Sequence, residues 1–205
     1  MSDFTYEFEK RTQALETYEW DNVWWEHADT NGVPRVLYIG DSISCQTRQK
    51  ATSAANNEIF FDGFGTSKAL DNPYFADSVR IFAKQQGERK AILFNNGLHG
   101  WHLDDTTEYA QDYEKMLVFL LEEFKGTPLF LLLTTYVADA ERDKRVQVRN
   151  EVVLKLAEKY NLPVIDFYSI VKEHKDLLIP DGVHLQAEGY QLLAEHVVKI
   201  IREAI

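Results

Sequence analysis

The sequence predicts an α/β protein, a three-layer α/β/α sandwich around a central, mostly five-stranded parallel sheet. Two observations lead to this fold class. Short apolar runs alternate with longer segments of helical periodicity along the chain. Strands that are apolar throughout are buried on both faces, and strands separated by helices pair in parallel. We therefore expect ligands to bind just beyond the carboxyl ends of the strands.

The predicted elements follow from these two periodicities. The apolar, β-rich runs place strands at 35–39, 58–61, 91–94, 129–133 and 164–165. Apolar residues at steps of three and four place helices at 43–53, 73–86, 106–124, 140–160 and 187–205. No linker-like tract interrupts the pattern. We expect a single domain over 1–205, in which 1–34 form an N-terminal helical and aromatic extension.

Composition and charge exclude several function classes. The 205 residues include 33 Asp and Glu against 22 Lys and Arg, so the formal net charge is −11. A chain this acidic is a poor ligand for phosphate backbones or anionic lipid, and we expect no nucleic-acid partner. Cys45 is the only cysteine, which excludes an intramolecular disulfide and a cysteine-based zinc site.

The chain shows no targeting or membrane-spanning pattern. Asp3, Glu7 and Glu9 fall within the first ten positions, where a secretory signal would need an apolar stretch. The longest apolar runs, 116–121 and 129–133, are far shorter than the ~20 residues of a transmembrane helix. We expect a cytoplasmic protein without membrane insertion, and the sequence leaves its oligomeric state open.

Three tryptophans lie within six positions of the N-terminal extension, at Trp20, Trp24 and Trp25. They suit either of two uses, a cover over a sheet edge or a platform for a sugar ring. We favour the cover, because an N-terminal extension must bury something to stay ordered.

The first candidate functional residue is Ser42, which follows the predicted strand 35–39 and opens the next helix. A side chain at a helix N-terminus faces free backbone N–H groups and a dipole that favours developing negative charge. This position suits a nucleophile. The alternative is structural, because Asp41 and Ser42 are both residue types that commonly cap a helix.

The second candidate pair is Asp181 and His184, just before the last helix. A carboxylate three residues ahead of a histidine can reach the ring Nδ1 atom, while Nε2 acts as a base. The structural alternative is a turn residue beside Gly182 and a surface histidine.

The third cluster closes the predicted strand 91–94 with amide and imidazole groups, Asn95-Asn96-Gly97-Leu98-His99. Acyl transfer passes through an oxyanion, and donors aimed at that oxygen are usually the largest catalytic contribution. The alternative is that the asparagines stabilise a turn.

These blocks in this order carry a family resemblance. Gly40-Asp41-Ser42-Ile43 resembles the GDS(L/I) block of the SGNH/GDSL hydrolases, and Asp181-Gly182-Val183-His184 resembles their D-x-x-H block. The resemblance extends from about residue 35 to the C-terminus and implies a flavodoxin-like fold. It implies that Ser42 is the nucleophile, His184 the general base and acid, and Asp181 the residue that orients the imidazole.

The other two family blocks match less closely. An oxyanion donor glycine normally follows the second strand, and Gly65 is the better candidate here, with Gly63 as the alternative. The usual G-x-N-D block is replaced by Gly97-Leu98-His99-Gly100, which makes either His99 or Asn96 the side-chain donor. The stretch from Asn95 to His99 is similar to an N-x-G-L-H variant of the third block found in one subgroup.

The resemblance implies a serine esterase that acts through an acyl-enzyme and requires no metal or organic cofactor. We expect a small-molecule acyl ester with a short, acetyl-like acyl group, carried by a carbohydrate. Trp101, His102 and Tyr136 are the candidates for lining its pocket. The alternatives are a non-catalytic α/β module that binds a small ligand, and a hydrolase scaffold that has lost activity.

Overall fold

The computed structural model of the protein describes residues 15, 18–103 and 106–205. Its centre is one sheet of six strands, β1 (Asp21–Trp24), β2 (Arg35–Gly40), β3 (Phe60–Thr66), β4 (Ala91–Phe94), β5 (Leu129–Leu132) and β6 (Val164–Ile165). The strand order is β1-β3-β2-β4-β5-β6. Five neighbouring strands, β3, β2, β4, β5 and β6, are parallel, and β1 pairs antiparallel with β3 at the edge. The predicted five-stranded parallel sheet is confirmed, with one strand added.

Helices cover both faces of the sheet. They are α1 (Ser42–Ala54), α2 (Phe75–Gln86), α3 (Thr106–Glu123), α4 (Ala140–Tyr160), α5 (Phe167–Glu173) and α6 (Ala187–Ala204), with a short 3-10 turn at Lys175–Leu177. Helices α1 and α6 pack against each other on one face, and α2 and α3 cover the other. A stretch that could span a bilayer is found in none of the described helices.

Alternate side chains of each central strand enter opposite cores. In β2, Val36 and Tyr38 pack on the α1 and α6 side, whereas Leu37 and Ile39 pack on the α2 and α3 side. All four are at most 1% exposed. This double burial explains why the strand is a continuous apolar run rather than an alternating one.

Strand β3 starts later and extends further than the predicted 58–61. It continues through Asp62, Gly63 and Gly65, where the apolar pattern breaks. The buried Asp62 carboxylate is neutralised by the Arg35 guanidinium at 2.9 Å. The two glycines leave room for side chains of α1, so the strand remains buried although its residues do not look like a core strand.

The N-terminal extension contains a strand where the sequence suggested helix. Residues Asp21–Trp24 form β1, so the helical prediction for 1–34 is wrong over this segment, and residues 1–14, 16 and 17 lie outside the described part. Its four residues are exposed, and β1 is held in place by backbone pairing with β3. Just after it, the Trp25 ring stacks on Phe82 with centroids 4.8 Å apart. This segment covers the edge of the sheet.

Candidate active site

Ser42 occupies the first position of helix α1, immediately beyond the end of β2. The helix is capped by Asp41, whose Oδ1 atom accepts a hydrogen bond from the Ile43 amide at 2.9 Å. The Ser42 hydroxyl is therefore not needed as the cap. Its amide is in the first turn, where backbone N–H groups have no acceptor within the helix.

The structure joins the three residues of the two best-matching blocks. The Ser42 Oγ atom lies 2.8 Å from His184 Nε2, across 142 residues of sequence. His184 Nδ1 in turn lies 2.7 Å from Asp181 Oδ2. Both distances are within hydrogen-bond range. Hydroxyl, imidazole and carboxylate thus form one continuous hydrogen-bonded chain.

A tight turn fixes the carboxylate and the imidazole relative to each other. Asp181 Oδ1 accepts from the amides of Val183 and His184, each at 2.9 Å. Gly182 adopts φ +73°, a conformation that favours glycine, and its carbonyl accepts from the Ala138 amide at 2.8 Å. This contact docks the turn onto the segment that follows β5.

The electrostatics of the two carboxyl groups differ. Burial acts to raise the pKa of Asp181, but hydrogen bonds from the Val183 and His184 amides and from the His184 ring outweigh it, so the pKa lies below its ordinary value. Burial raises the pKa of Asp41 above its ordinary value, against the Ile43 amide and the charge of His184. Asp181 is thus the carboxylate that stays ionised beside the imidazole.

The glycines of β3 have a structural role that the sequence did not reveal. A Cβ atom on Gly65 would lie 2.2 Å from Cys45 Sγ, and one on Gly63 would lie 2.3 Å from the Arg48 side chain. Both positions therefore let α1 approach the sheet closely.

The amide of Gly65 also has a partner in the sheet. The Ser67 amide donates to the Trp20 carbonyl at 3.1 Å. Hydrogen-bonded pairs alternate along an antiparallel ladder, so Gly65, two residues back, directs its amide to Asn22 of β1. The structure does not turn this amide toward Ser42.

Asn96 and His99 lie on the loop that follows β4. Asn96 Nδ2 donates to the Lys68 carbonyl at 2.9 Å, which links this loop to the one after β3. Because β2 lies between β3 and β4, this link crosses above the end of β2, where Ser42 begins its helix. The His99 ring instead packs edge-on against Trp20 at 6.0 Å.

The three candidate pocket residues are engaged in other contacts. Trp101 is 5% exposed, and the guanidinium groups of Arg145 and Arg149 both pack over its ring. His102 Nε2 lies 2.8 Å from Asp71 Oδ2. Their place in the substrate pocket stays a prediction.

Tyr136, the third of these residues, is half-buried and packs against Tyr168 with ring centroids 6.2 Å apart. The Lys175 ammonium lies over its ring, 4.5 Å from the centroid. Its role in substrate binding also stays a prediction.

Arg149 of α4 is a site residue that the sequence analysis missed. Its side chain is buried, and its guanidinium donates to the carbonyls of Gly97, His99 and Gly100 at 3.0, 2.7 and 2.7 Å. It therefore holds the backbone of the loop that carries the candidate donors. The sequence shows only one more basic residue in a charged helix, which gives no signal of this contact.

The parallel sheet with a serine, a histidine and a carboxylate joined beyond its strand ends defines a hydrolase type of site. The chain belongs to the GDSL-like Lipase/Acylhydrolase family, whose model matches residues 38–192. This membership identifies it as an ester hydrolase. A search of the curated proteins gives no match.

Solved structures share the fold at low sequence identity. An acetyl xylan esterase, AlAXEase, superposes with a TM-score of 0.65 at 15% identity, covering 82% of this chain and 99% of its own. The C-terminal catalytic domain of peptidoglycan O-acetyltransferase A from Streptococcus pneumoniae gives 0.65 at 16%, covering 84% and 94%. A G-D-S-L family lipolytic protein from Veillonella parvula gives 0.65 at 17%, covering 83% and 99%.

Proposed function

We propose that the protein is a serine esterase that hydrolyses short-chain acyl esters through an acyl-enzyme. One observation carries this proposal, the hydrogen-bonded chain from Ser42 through His184 to Asp181 at 2.8 and 2.7 Å. Nucleophile, base and orienting carboxylate at these distances are the arrangement that activates a serine hydroxyl.

The reaction proceeds in two halves. His184 Nε2 takes the Ser42 proton as Oγ attacks the ester carbonyl, and then gives that proton to the departing alcohol oxygen. The acyl group remains on Ser42. Water then attacks the acyl-enzyme with His184 again as base, which releases the carboxylic acid and restores the Ser42 hydroxyl. Asp181 stabilises the imidazolium that forms in each half.

The oxyanion would form above the N-terminus of α1. The Ser42 amide supplies one donor there, because it has no acceptor within the helix. The side chain of Asn96 is our candidate for a second. One of its two amide hydrogens is committed to the Lys68 carbonyl, which leaves the other to donate.

The substrate that we propose is an acetyl or similarly short acyl ester of a carbohydrate. If Trp101 and His102 line the pocket, as the sequence predicts, their contacts with Arg149 and Asp71 hold both side chains in place and favour a small acyl group. The acetyl xylan esterase and the peptidoglycan O-acetyltransferase that share the fold point in the same direction.

The test is hydrolysis of aryl esters with acyl chains from two carbons upward, for wild type and Ser42→Ala. We expect wild type to favour the acetate and Ser42→Ala to lose several orders of magnitude in kcat. A fluorophosphonate probe should bond to Ser42 Oγ with loss of fluoride. As a matched control, Ser78→Ala on α2 should behave like wild type. Labelling elsewhere, or an active Ser42→Ala protein, contradicts the proposal.

A further inference from the structure

An open groove of about 610 Å³ runs from His184 between helices α1 and α6. One wall is a face of α1, and the other belongs to the segment before α6 and to its first turn. The lining includes Gln46, Gln49, Lys50, Ser53, Ile179 and Tyr190. His184 itself is part of the lining, so the groove reaches the imidazole of the active site.

The α1 wall is polar and regularly spaced. Gln46, Gln49, Lys50 and Ser53 follow steps of three, one and three residues, which places them on one helix face. They offer two carboxamides, an ammonium group and a hydroxyl. None of the described residues that line the groove is acidic, although the chain carries 33 acidic residues. The groove therefore does not suit a cationic ligand.

The opposite wall is less polar. Ile179 is 36% exposed, and Tyr190 is almost completely buried at the base. Burial raises the pKa of Tyr190 to about 12, so its phenol is neutral. A ligand in the groove would meet amide and hydroxyl groups on one side and carbon surface on the other. A sugar ring is complementary to both walls, because it carries hydroxyl groups and C–H surface.

The proposed reaction determines which part of the ester substrate would lie in the groove. His184 Nε2 must reach the oxygen of the departing alcohol to protonate it. The alcohol portion of the ester therefore extends on the His184 side of Ser42. The groove begins at that imidazole, whereas the oxyanion lies toward the N-terminus of α1.

We propose that this groove is the binding site for the alcohol portion of the substrate and that this alcohol is a neutral or anionic carbohydrate of more than one ring. The proposal rests on the proposed function. Between Gln46 and Ser53 the α1 wall rises about 10 Å, at about 1.5 Å per residue. A groove of that length presents hydrogen-bonding groups well beyond the ring that carries the acyl group.

The experiment compares 4-nitrophenyl acetate with acetylated xylo-, cello- and chito-oligosaccharides, measured by release of nitrophenol or acetate. The variant is Gln46→Ala/Gln49→Ala. Both glutamines are exposed on a helix, where alanine is well tolerated, so the variant should fold. The matched control is Gln191→Ala, a half-buried glutamine of α6 that bonds to Glu195 and does not line the groove.

We expect wild type to hydrolyse at least one acetylated oligosaccharide and to favour longer chains. In the double variant the ratio of kcat/KM for that oligosaccharide to kcat/KM for the aryl acetate should fall about tenfold or more. Each lost hydrogen bond accounts for about threefold to tenfold, and the aryl group has no hydroxyl to lose. Gln191→Ala should keep the wild-type ratio.

The outcomes separate the two proposals. An unchanged ratio in the double variant, or a wild-type enzyme that hydrolyses the aryl acetate but no oligosaccharide ester, overturns the carbohydrate site and leaves the esterase intact. Failure of wild type to hydrolyse the aryl acetate removes the proposed function, and the groove proposal with it.

Discussion

The Nη1 atom of Arg149 lies 2.7 Å from the carbonyl oxygen of His99, fifty residues earlier in the chain. The same guanidinium packs over the Trp101 ring at 4.3 Å. A buried cation from a helix thus sets the path of the loop that follows β4. The loop that carries the candidate oxyanion donors is therefore held in part by a residue outside every family block.

Arg149→Met should destabilise the fold and reduce activity. The substitution removes the guanidinium donor to the carbonyls of Gly97, His99 and Gly100, of which Gly100 keeps the Leu103 amide. Each buried carbonyl that is left unsatisfied costs about 1–3 kcal/mol. We expect a loss of about 3 kcal/mol or more in urea unfolding, and about 10²-fold in kcat from misplaced donors. Arg149→Lys should recover part of both. Lys155→Met, on the exposed face of α4, should change stability by less than about 0.5 kcal/mol.

Asn96→Ala should lower kcat more than His99→Ala does. Asn96 reaches across the end of β2 to Lys68, whereas His99 packs on Trp20. Loss of one side-chain oxyanion donor costs about 10²–10³ in kcat with little change in KM. Steady-state kinetics on an aryl acetate measure the difference. The reverse order of effects would assign the donor to His99.

Asp181→Asn should reduce kcat on the order of 10³-fold, because an amide cannot stabilise the imidazolium of His184. The substitution should also reveal a pH dependence. The pKa of Asp181 is lowered by folding, so its ionised form adds stability above the ordinary aspartate value and loses it as the pH falls through the folded value. The stability difference between wild type and Asp181→Asn should therefore shrink below about pH 4. A difference that is constant with pH would contradict the lowered pKa.

Gly65→Ala should destabilise the protein by overpacking. The added methyl would meet Cys45 Sγ at 2.2 Å, and such insertions into a packed core cost about 1–3 kcal/mol. In a Cys45→Ala background the same change should cost less, because the obstructing sulfur is gone. A double-mutant cycle by thermal unfolding measures this coupling. Additive effects would show that the clash lies elsewhere.

Periodicity was sufficient for the parallel sheet and its five longest helices, because burial on both faces and amphipathic stripes leave a strong pattern. It was insufficient for β1, whose exposed side chains carry no burial pattern and whose stability comes from backbone pairing. The predicted β3 also ended too early, at Phe61, because Asp62 and the glycines beyond it break the apolar pattern. Those glycines make room for neighbouring side chains of α1.

The candidate site likewise contains some residues that the sequence predicts and others that it does not. Ser42, Asp181 and His184 stand in specific blocks, and the structure brings them together. The contacts of Asn96, Trp101 and Arg149 depend on how two loops and helix α4 pack together, and no local sequence pattern encodes that packing.

Because Ser42 begins α1 and His184 lies on the turn that leads into α6, the two halves of the reacting pair are supplied by helices that pack on each other. Separation of α6 from α1 would pull the imidazole away from the hydroxyl while the rest of the sheet stayed paired. Catalytic activity would therefore depend on the packing of α6 against α1. In denaturant, activity should be lost at the same concentration as most of the secondary structure, or at a lower one.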